Sequence, residues 1–311
     1  MNKLAVILSL CFILDRTHAQ SNLSFQHLNT ANGLSYIGAT NMCTDQRGNV
    51  WIATGNGLNM FNGKTVEKYF ASEHPEMQNS NVLQVLCDSN NNIWVLTVNG
   101  YVSVLDKYRQ FHRVSLYDSN QFVKTLRMLK RENSTICLYT AKGNYTYNNT
   151  SPINRDSIDR AQFSFLPIRG FHQLSLQGRS QVFNYDENHY LLVHREAFIK
   201  VSFKTNTVER KYMFPDCRAL IKWNENELMV FDQKAKEPKV INLVTEEVSL
   251  PFKNSKDQFG KMITGNFLVA EKISASKYLF GIEASGVYIY DVLSGNVFNY
   301  RHSFSDPASI A

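Results

Sequence analysis

The sequence lacks the features that mark many membrane, metal-binding and hydrolytic proteins. Its 311 residues include only 7 prolines, and beyond residues 1–14 no stretch is continuously apolar. No other segment approaches the about 20 apolar residues that a membrane-spanning helix needs. No CxxC pair, GxSxG elbow, glycine-rich phosphate loop or Ser/His/Asp arrangement is recognisable. These absences count against a membrane-spanning domain, a CxxC metal site and the enzyme classes that those motifs mark.

The charge balance is mildly basic, with 33 Lys and Arg against 27 Asp and Glu and a formal net charge of +6. No long basic run with stacking aromatics accompanies it, so we predict no direct nucleic-acid contact. The excess is compatible with an anionic ligand such as an acidic polysaccharide fragment, and equally with an ordinary solvated surface. Aromatic residues are plentiful, with 15 Tyr and 20 Phe, which fits half-buried strands better than disorder.

The N-terminus has the pattern of a secretory signal. Lys3 precedes an apolar core at residues 4–14, and Thr17-His18-Ala19 offers a small-residue cleavage site. We predict a signal peptide at residues 1–19 and an exported domain at 20–311.

One unit is used repeatedly in that domain. Trp51 and Trp94 are 43 residues apart, and Gly57, Gly100 and Gly143 follow one another at the same interval. The repeated positions are an Asx or Gly turn, an aromatic residue in the apolar run that follows, and a glycine that opens the next run: Asp45, Gly48, Trp51, Gly57, Asp88, Trp94, Gly100, Gly143 and Gly286. A fixed period of this length predicts one supersecondary unit used several times.

Each unit is predicted to form four short strands. Residues 45–49 and 55–57 supply turns, the β-branched and aromatic runs between turns are too brief for helices, and Asn62-Gly63 is a strong hairpin dipeptide. Four strands in about 40–50 residues is the spacing of a β-propeller blade. We therefore predict an all-β fold, a β-propeller of four-stranded antiparallel blades.

The same residues carry a resemblance to a known family. Gly33-Leu34-Ser35, the Asp-x-x-Gly-Asn-x-Trp turn and residues 57–61 resemble the two-component regulator propeller repeat, with the better matches at residues 33–63 and 81–106. That repeat fills the N-terminal periplasmic sensor region of Bacteroidetes hybrid two-component regulators. The resemblance implies an inner-membrane sensor that detects oligosaccharides from glycan breakdown and regulates glycan-use genes. It also implies a second propeller, membrane-linked kinase, receiver and helix-turn-helix output domains, and a homodimer.

We predict six blades of a seven-bladed ring, because residues 20–311 hold about seven periods and the sequence stops where a seventh blade should begin. Residues 278–291 keep the six-residue step from an aromatic residue to glycine. Residues 149–161, with Pro152 and four charges, are predicted to project from the rim. Residues 25–28 are predicted as a lone strand that completes the last blade of the full ring.

Four cysteines follow the signal peptide: Cys43, Cys87, Cys137 and Cys217. An even number in an oxidising compartment permits two disulfides. Each cysteine nevertheless lies in an apolar strand of a different repeat, so we predict buried structural thiols.

The carboxylates and indoles of the repeat are predicted to be structural. Asp45 and Asp88 could be a glycosidase pair, but both recur at the entry to the same turn, where Asx side chains bond local backbone amides. Trp51 and Trp94 could stack on sugars, but their central place in repeated strands predicts wedges between blades. We predict no catalytic residue, cofactor or metal in this segment.

A ligand site is expected at the mouth of the propeller channel, built by the loops that enter each innermost strand and those between the second and third strands. The ligand-binding residues predicted there are Tyr36, Asn56, Asn99, Lys124, Lys142, Arg179, Arg195 and Glu196. The function predicted is a periplasmic oligosaccharide sensor, the ligand being acidic or neutral. Two alternatives stay open. One is an exported glycan-degrading enzyme that uses Glu196 or Glu283, and the other is a protein-docking propeller whose surface lies on blades four and five, where the repeat has faded most.

Overall fold

The structure is a computed structural model that describes residues 25–303, with gaps at 26, 132–134, 148–152, 154–156, 170–180 and 195–196, together with residue 309. The predicted signal peptide lies outside these residues and stays a prediction. The helical segments are three short 3-10 turns: Thr30–Asn32, Pro75–Met77 and Arg160–Gln162. Within the described ranges, no helix has the length and apolar character that a membrane span requires.

Twenty-seven short strands form the described chain, and their order confirms the predicted all-β fold. The strands up to residue 167 are β1 (Ala39–Thr44), β2 (Val50–Thr54), β3 (Gly57–Phe61), β4 (Val66–Tyr69), β5 (Val82–Cys87), β6 (Ile93–Thr97), β7 (Val102–Leu105), β8 (Phe111–Ser115), β9 (Tyr117–Asp118), β10 (Gln121–Phe122), β11 (Thr125–Lys130), β12 (Ile136–Thr140), β13 (Gly143–Tyr147), β14 (Ser157–Asp159) and β15 (Ser164–Pro167). Those that follow are β16 (Gln181–Asn184), β17 (His189–His194), β18 (Ala197–Ser202), β19 (Val208–Met213), β20 (Cys217–Lys222), β21 (Glu227–Asp232), β22 (Glu237–Asn242), β23 (Val248–Ser249), β24 (Phe267–Lys272), β25 (Lys277–Ile282), β26 (Gly286–Asp291) and β27 (Val297–Tyr300).

These strands make six propeller blades, each an antiparallel meander whose sequence neighbours pair. The blades, numbered one to six, are β1–β4, β5–β8, β11–β13 with β15, β16–β19, β20–β23 and β24–β27. The first strand of each blade is innermost and lies beside that of the next blade. In five blades the innermost strand carries a register shift, which bends the strand and increases its twist. The innermost strand of blade four, β16, pairs without one.

The core consists of apolar layers between consecutive blades. Trp51 of blade one packs in a layer with Val95 of blade two, and Trp94 of blade two packs with Tyr147 of blade three. Side chains alternate across a strand. A blade with a neighbour on each side therefore packs one set of residues against the preceding blade and the other set against the following blade. The strands of these blades are therefore buried on both faces, which explains runs such as Ile93–Thr97, where every residue is buried.

The described part of the insertion, Ile153 and residues 157–161, packs against blade two, which corrects the prediction that it projects from the rim. Within it, β14 pairs in parallel with β8, the outermost strand of blade two. Ile153 and Ile158 are 8% and 0% exposed and join the apolar layer between blades two and three. Burial of these two isoleucines holds the segment against blade two. The pairing also covers a strand edge that would otherwise present unpaired backbone groups.

Two of the four cysteines form a disulfide, which corrects the prediction of buried thiols at these positions. Cys43 in β1 and Cys87 in β5 are joined, with their Cα atoms 6.1 Å apart, so the bond links the innermost strands of blades one and two. Adjacent innermost strands bring equivalent positions close together, which spacing along the sequence does not reveal. Cys137 and Cys217 are buried free thiols, as predicted.

The ends of the described chain meet at blade six. The ring of Phe25 lies 5.6 Å from that of Tyr300 in β27, and His27 Nε2 lies 2.6 Å from the carbonyl oxygen of Ser309. The described residues of the 25–28 segment form no strand, and the seventh blade stays a prediction. Blade six also has a different register from blade one. Phe280, six residues before Gly286, faces blade five, because the turn after β25 has three residues where the turn after β2 has two.

Candidate ligand-binding site

The repeated aspartates are fully engaged by their own turns. Asp45 Oδ1 accepts the backbone N–H groups of Arg47 and Asn49, each at 2.9 Å, while Oδ2 accepts Asn49 Nδ2 at 2.9 Å and Trp51 Nε1 at 3.0 Å. Burial raises the pKa of Asp45, but the hydrogen bonds from Asn49, Trp51 and Arg47 outweigh it, and the pKa lies below its ordinary value. A carboxylate held in this way orders the turn and is poorly suited to act as a catalytic acid.

Blade two repeats this arrangement. Asp88 Oδ2 accepts Asn92 Nδ2 at 2.9 Å and Trp94 Nε1 at 3.0 Å. Trp51 and Trp94 are 1% and 0% exposed, and the guanidinium carbon of Arg109 from blade two lies 4.7 Å from the ring centre of Trp51. The two indoles therefore fill the space between blades, and neither ring face is open to a sugar.

Three of the repeated glycines, Gly57, Gly143 and Gly286, stand where the outermost strand of the blade passes close to the third strand, whereas Gly100 lies against Thr125 at the start of the next blade. Gly57 and Gly286 have φ values of +117° and +86°, a backbone region that side chains with a Cβ rarely adopt. A Cβ at Gly286 would overlap the carbonyl oxygen of Tyr300, and one at Gly143 would overlap that of Leu166. The period of glycines thus follows from the backbone of the blade.

The propeller has two ends, which differ in the loops that they carry. The connections into the innermost strands and the turns between second and third strands lie at one end, here called the entrance face, and include residues 55–56, 98–101 and 141–142. The turns between first and second strands and between third and fourth strands lie at the other end, here called the turn face, and include residues 45–49 and 88–92. Antiparallel meanders place alternate turns at opposite ends.

The residues predicted to line the channel mouth lie on the entrance face in three groups. The ring of half-exposed Tyr36 packs against Gly55, next to Asn56. Lys124 packs against Gly100, next to Asn99. Lys142 pairs with Asp118 at 2.7 Å, a contact that lowers the pKa of that exposed carboxyl. The predicted ligand-binding residues found on this face are Tyr36, Asn56, Asn99, Lys124 and Lys142. Arg179, Arg195 and Glu196 lie outside the described residues.

A concave site lies on the turn face, between blades four and five, where the sequence predicts no ligand residue. This groove has a volume of about 790 Å³. Its walls come from the first turn of blade four, the first turn of blade five, and the strands β18 and β19. The residues that line it include Tyr185, Asp186, Glu187, Asn188, Lys200, Glu209, Arg210, Tyr212, Lys222, Glu225 and Asn226.

The groove exists where the repeat has changed. The N–H of Tyr185 donates to His189 O at 3.0 Å, as that of Asp45 donates to Asn49 O at 2.9 Å, so Tyr185 stands in the position of Asp45. In the same register, Leu191 stands in the position of Trp51 and pairs with Lys200, as Trp51 pairs with Met60. A leucine is smaller than an indole, so less of the space between blades four and five is filled.

Two lysines meet on one tyrosine ring in the groove. Lys200 Nζ and Lys222 Nζ lie 5.1 Å and 5.3 Å from the ring centre of Tyr185, within the range of a cation–π contact. Lys222 Nζ also donates a hydrogen bond to the backbone oxygen of Tyr185. Tyr185 is 8% exposed, and burial raises the pKa of its hydroxyl. The ring thus serves as a fixed support that positions two ammonium groups.

Two of the acidic residues of the groove, Asp186 and Glu209, already have a partner. His189 bridges two carboxylates, with Nδ1 2.7 Å from Asp186 Oδ1 and Nε2 2.9 Å from Glu209 Oε2. Burial raises the pKa of Asp186, but the hydrogen bonds from the N–H of Asn188 and from His189 outweigh it and the pKa is lowered. The Asp186 carboxylate is consequently charged and occupied at neutral pH, and the Glu209 carboxylate is occupied by His189.

Arg210 pairs with Glu246 at 2.7 Å and lies over Tyr212, its guanidinium carbon 4.9 Å from the ring centre. Burial raises the pKa of Tyr212. Glu246 occupies the turn position that Arg109 occupies in blade two, since both have positive φ, of +63° and +69°, and donate their N–H across the same turn. The cation that covers Trp51 in blade one therefore has no counterpart over Leu191.

Sequence reasoning missed the groove because it searched the entrance face. The loss of both Asp and Trp is shared by blades three to six, as the strand registers show, so it does not single out this junction. The signal that could have found the groove is lysine at two facing positions, Lys200 and Lys222. Blades four and five were noted as the most faded, but only as a surface for protein docking.

Comparison with solved structures finds the same fold in extracellular domains of two-component systems. The extracellular domain of BT3049, described as a hybrid two-component system of B. thetaiotaomicron, matches with a TM-score of 0.70 at 15% identity, over 93% of this chain and 38% of that chain. The fold is similar to that of an extracellular domain of a signalling protein. The extracellular domain of BT4673, from the same organism, matches with a TM-score of 0.59 at 13% identity, over 91% of this chain and 39% of that one.

A lyase shares the architecture as well. Virginiamycin B lyase from Staphylococcus aureus matches with a TM-score of 0.58 at 11% identity, over 86% of this chain and 85% of that chain. No protein-family model matches this chain, and neither does any curated protein sequence. At these identities the comparisons establish the propeller fold, and function must be argued from the residues.

Proposed function

We propose that this chain is the exported, ligand-sensing propeller of a hybrid two-component signalling protein. The observation that carries the proposal is the match of 93% of the chain to the extracellular domain of BT3049. The signal-peptide pattern at residues 1–19 and the bond between Cys43 and Cys87 support export, because disulfides persist in oxidising compartments. A concave polar groove on a rigid scaffold supports ligand binding.

The ligand proposed is an oligosaccharide released by glycan breakdown. Saccharides present many hydroxyl groups, and the groove offers carboxylates and side-chain amides to them at Glu187, Asn188, Glu225 and Asn226. Because the chain spans 38% of the BT3049 chain, the rest of the signalling protein is also proposed. It comprises a second propeller and a membrane-linked output that regulates glycan-use genes, with the present domain periplasmic and the whole a homodimer.

Thermal-shift and calorimetric screening of residues 20–311 against neutral and acidic oligosaccharides tests this function. A ligand that binds only the folded state stabilises it by about 2.7 kcal/mol at a hundredfold excess over its dissociation constant. We expect one glycan class to raise the melting temperature without being degraded. If a folded sample responds to no saccharide, the sensor proposal fails and a protein-docking propeller becomes the better account.

An exported enzyme is the second candidate, because virginiamycin B lyase matches over most of both chains. Glu283, one of the two carboxylates predicted for this role, accepts Asn266 Nδ2 at 2.8 Å in the turn between β25 and β26. Chromatography of the same saccharide samples after incubation separates the two functions. Product formation that Glu283→Gln abolishes would establish the enzyme, whereas intact saccharide with a thermal shift supports the sensor.

A further inference from the structure

We propose that the groove between blades four and five binds the carboxylate of an acidic saccharide, with Lys200 and Lys222 as its anion-binding pair. The inference rests on the proposed sensing function and goes beyond it in two respects. It places the site on the turn face, away from the channel mouth. It also selects sugars that carry a carboxylate over their neutral counterparts.

Lys200 and Lys222 supply positive charge to the groove. Among the described residues, no carboxylate lies within ion-pair distance of Lys200 or Lys222. Arg210, the third cation of the groove, is already paired with Glu246. Two half-buried ammonium groups on one ring are a costly arrangement unless an anion joins them, because like charges repel more strongly where water is partly excluded. An anionic group between them would relieve that repulsion.

These ammonium groups are held in fixed positions. A surface lysine loses side-chain freedom when it binds a ligand, which reduces affinity. Lys200 and Lys222 are held beforehand by contacts with the Tyr185 ring, and Lys222 also donates to the Tyr185 backbone oxygen. Part of the ordering cost is therefore met in the free protein. Lysine donates three hydrogens, so Lys222 keeps two for a ligand.

The outer part of the groove carries negative charge. Glu187 and Glu225 are exposed, and the described structure gives their carboxylates no hydrogen-bond or ion-pair partner. The neighbouring Asn188 and Asn226 are exposed as well. Carboxylates accept hydrogen bonds from sugar hydroxyls and repel further anionic groups. A ligand with one carboxylate at the lysines and hydroxyls at the outer part fits this distribution better than a polyphosphate or a densely sulfated chain.

The two lysines replace other residues at defined positions of the repeat. Lys200 stands in the position of Met60, and Lys222 in the position of Cys87, as the strand registers show. In blades one and two these positions hold an apolar side chain and a disulfide. Between blades four and five, both have become lysine, and the Asp and Trp that fill the space are absent. All four changes act in the same direction, toward an open groove with two ammonium groups at its base.

Isothermal titration calorimetry of residues 20–311 with cellobiouronate and with cellobiose tests the proposal, because the two sugars share ring and linkage stereochemistry and differ in one carboxylate. We expect cellobiouronate to bind at least about tenfold more tightly at low salt, with the difference shrinking as salt rises. Lys200→Met should remove at least about tenfold of this affinity. Methionine already occupies this position in blade one, so the variant should keep its melting temperature.

Two matched variants complete the test. Lys107→Met removes a lysine that also lies 5.0 Å from a tyrosine ring centre, that of Tyr108, but outside the groove, and it should leave binding unchanged. Lys142→Met probes the entrance face. If Lys142→Met weakens binding and Lys200→Met does not, or if only cellobiose binds, the groove proposal is overturned while the sensor survives. If neither sugar nor a hyaluronan tetrasaccharide binds, the groove proposal is overturned, and failure of the wider neutral panel then also removes the sensing function.

Discussion

Removal of the disulfide between blades one and two should destabilise the domain by several kilocalories per mole. The perturbation is the double variant Cys43→Ala and Cys87→Ala, which introduces no buried polar group. The bond closes a loop with a sequence separation of 44 residues. The loop-entropy relation for that length gives about 4 kcal/mol at 25 °C, the value expected when the native geometry bears no strain. Because both cysteines lie on innermost strands, the bond also fixes the spacing of two adjacent blades.

Urea titrations of the wild-type protein, with and without reductant, and of the double variant measure this contribution. The midpoint of the oxidised wild type should exceed that of the reduced protein, which should match the variant. Reductant should have no effect on the variant. Thiol titration of denatured residues 20–311 should find two reactive cysteines before reduction and four after it. Four reactive thiols in unreduced protein, or identical midpoints in all samples, would refute the reasoning.

Three further substitutions test the reading of the repeat. Asp45→Ala should cost about 2–3 kcal/mol by leaving the Trp51 indole without an acceptor; the folded pKa is depressed, so this contribution is present at neutral pH and is lost as pH falls below about 4, where variant and wild type should converge in urea titrations. Ile158→Ala should cost about 2–5 kcal/mol and speed hydrogen exchange in β8, while exchange in blade six stays unchanged. Gly286→Ala should lower the melting temperature more than Gly295→Ala, because both have positive φ but a Cβ at Gly295 meets no atom within 4 Å.

Much of the fold was predictable because the repeated residues perform repeated local chemistry. Asp45 and Asp88 satisfy the amides of the same turn, Trp51 and Trp94 fill equivalent spaces between blades, and Gly57 admits the outermost strand of its blade. Each of these roles is decided within one or two blades. A period of 43 residues therefore predicted both the strands and their order.

The remaining features depend on contacts that the sequence does not display. The Cys43–Cys87 bond requires adjacent innermost strands to align their ends, which is a property of the ring. The insertion at 149–161 has the composition of a loop, yet burial of Ile153 and Ile158 holds it against blade two. In both cases the deciding neighbour is remote in sequence. Local composition alone gave the wrong prediction.

The faded repeats are informative for the same reason. Where Asp and Trp persist, the space between blades is filled and the turn carboxylate is occupied, so little remains for a ligand to contact. Between blades four and five, Leu191 replaces the indole, and Tyr185 replaces the aspartate and supports two lysines. Blades three, five and six have lost the Asp and the Trp as well, so that loss alone does not locate a binding site. The junction between blades four and five differs from the others because both facing positions hold lysine, Lys200 and Lys222, and this pair is what the loss of the consensus leaves for a ligand to contact.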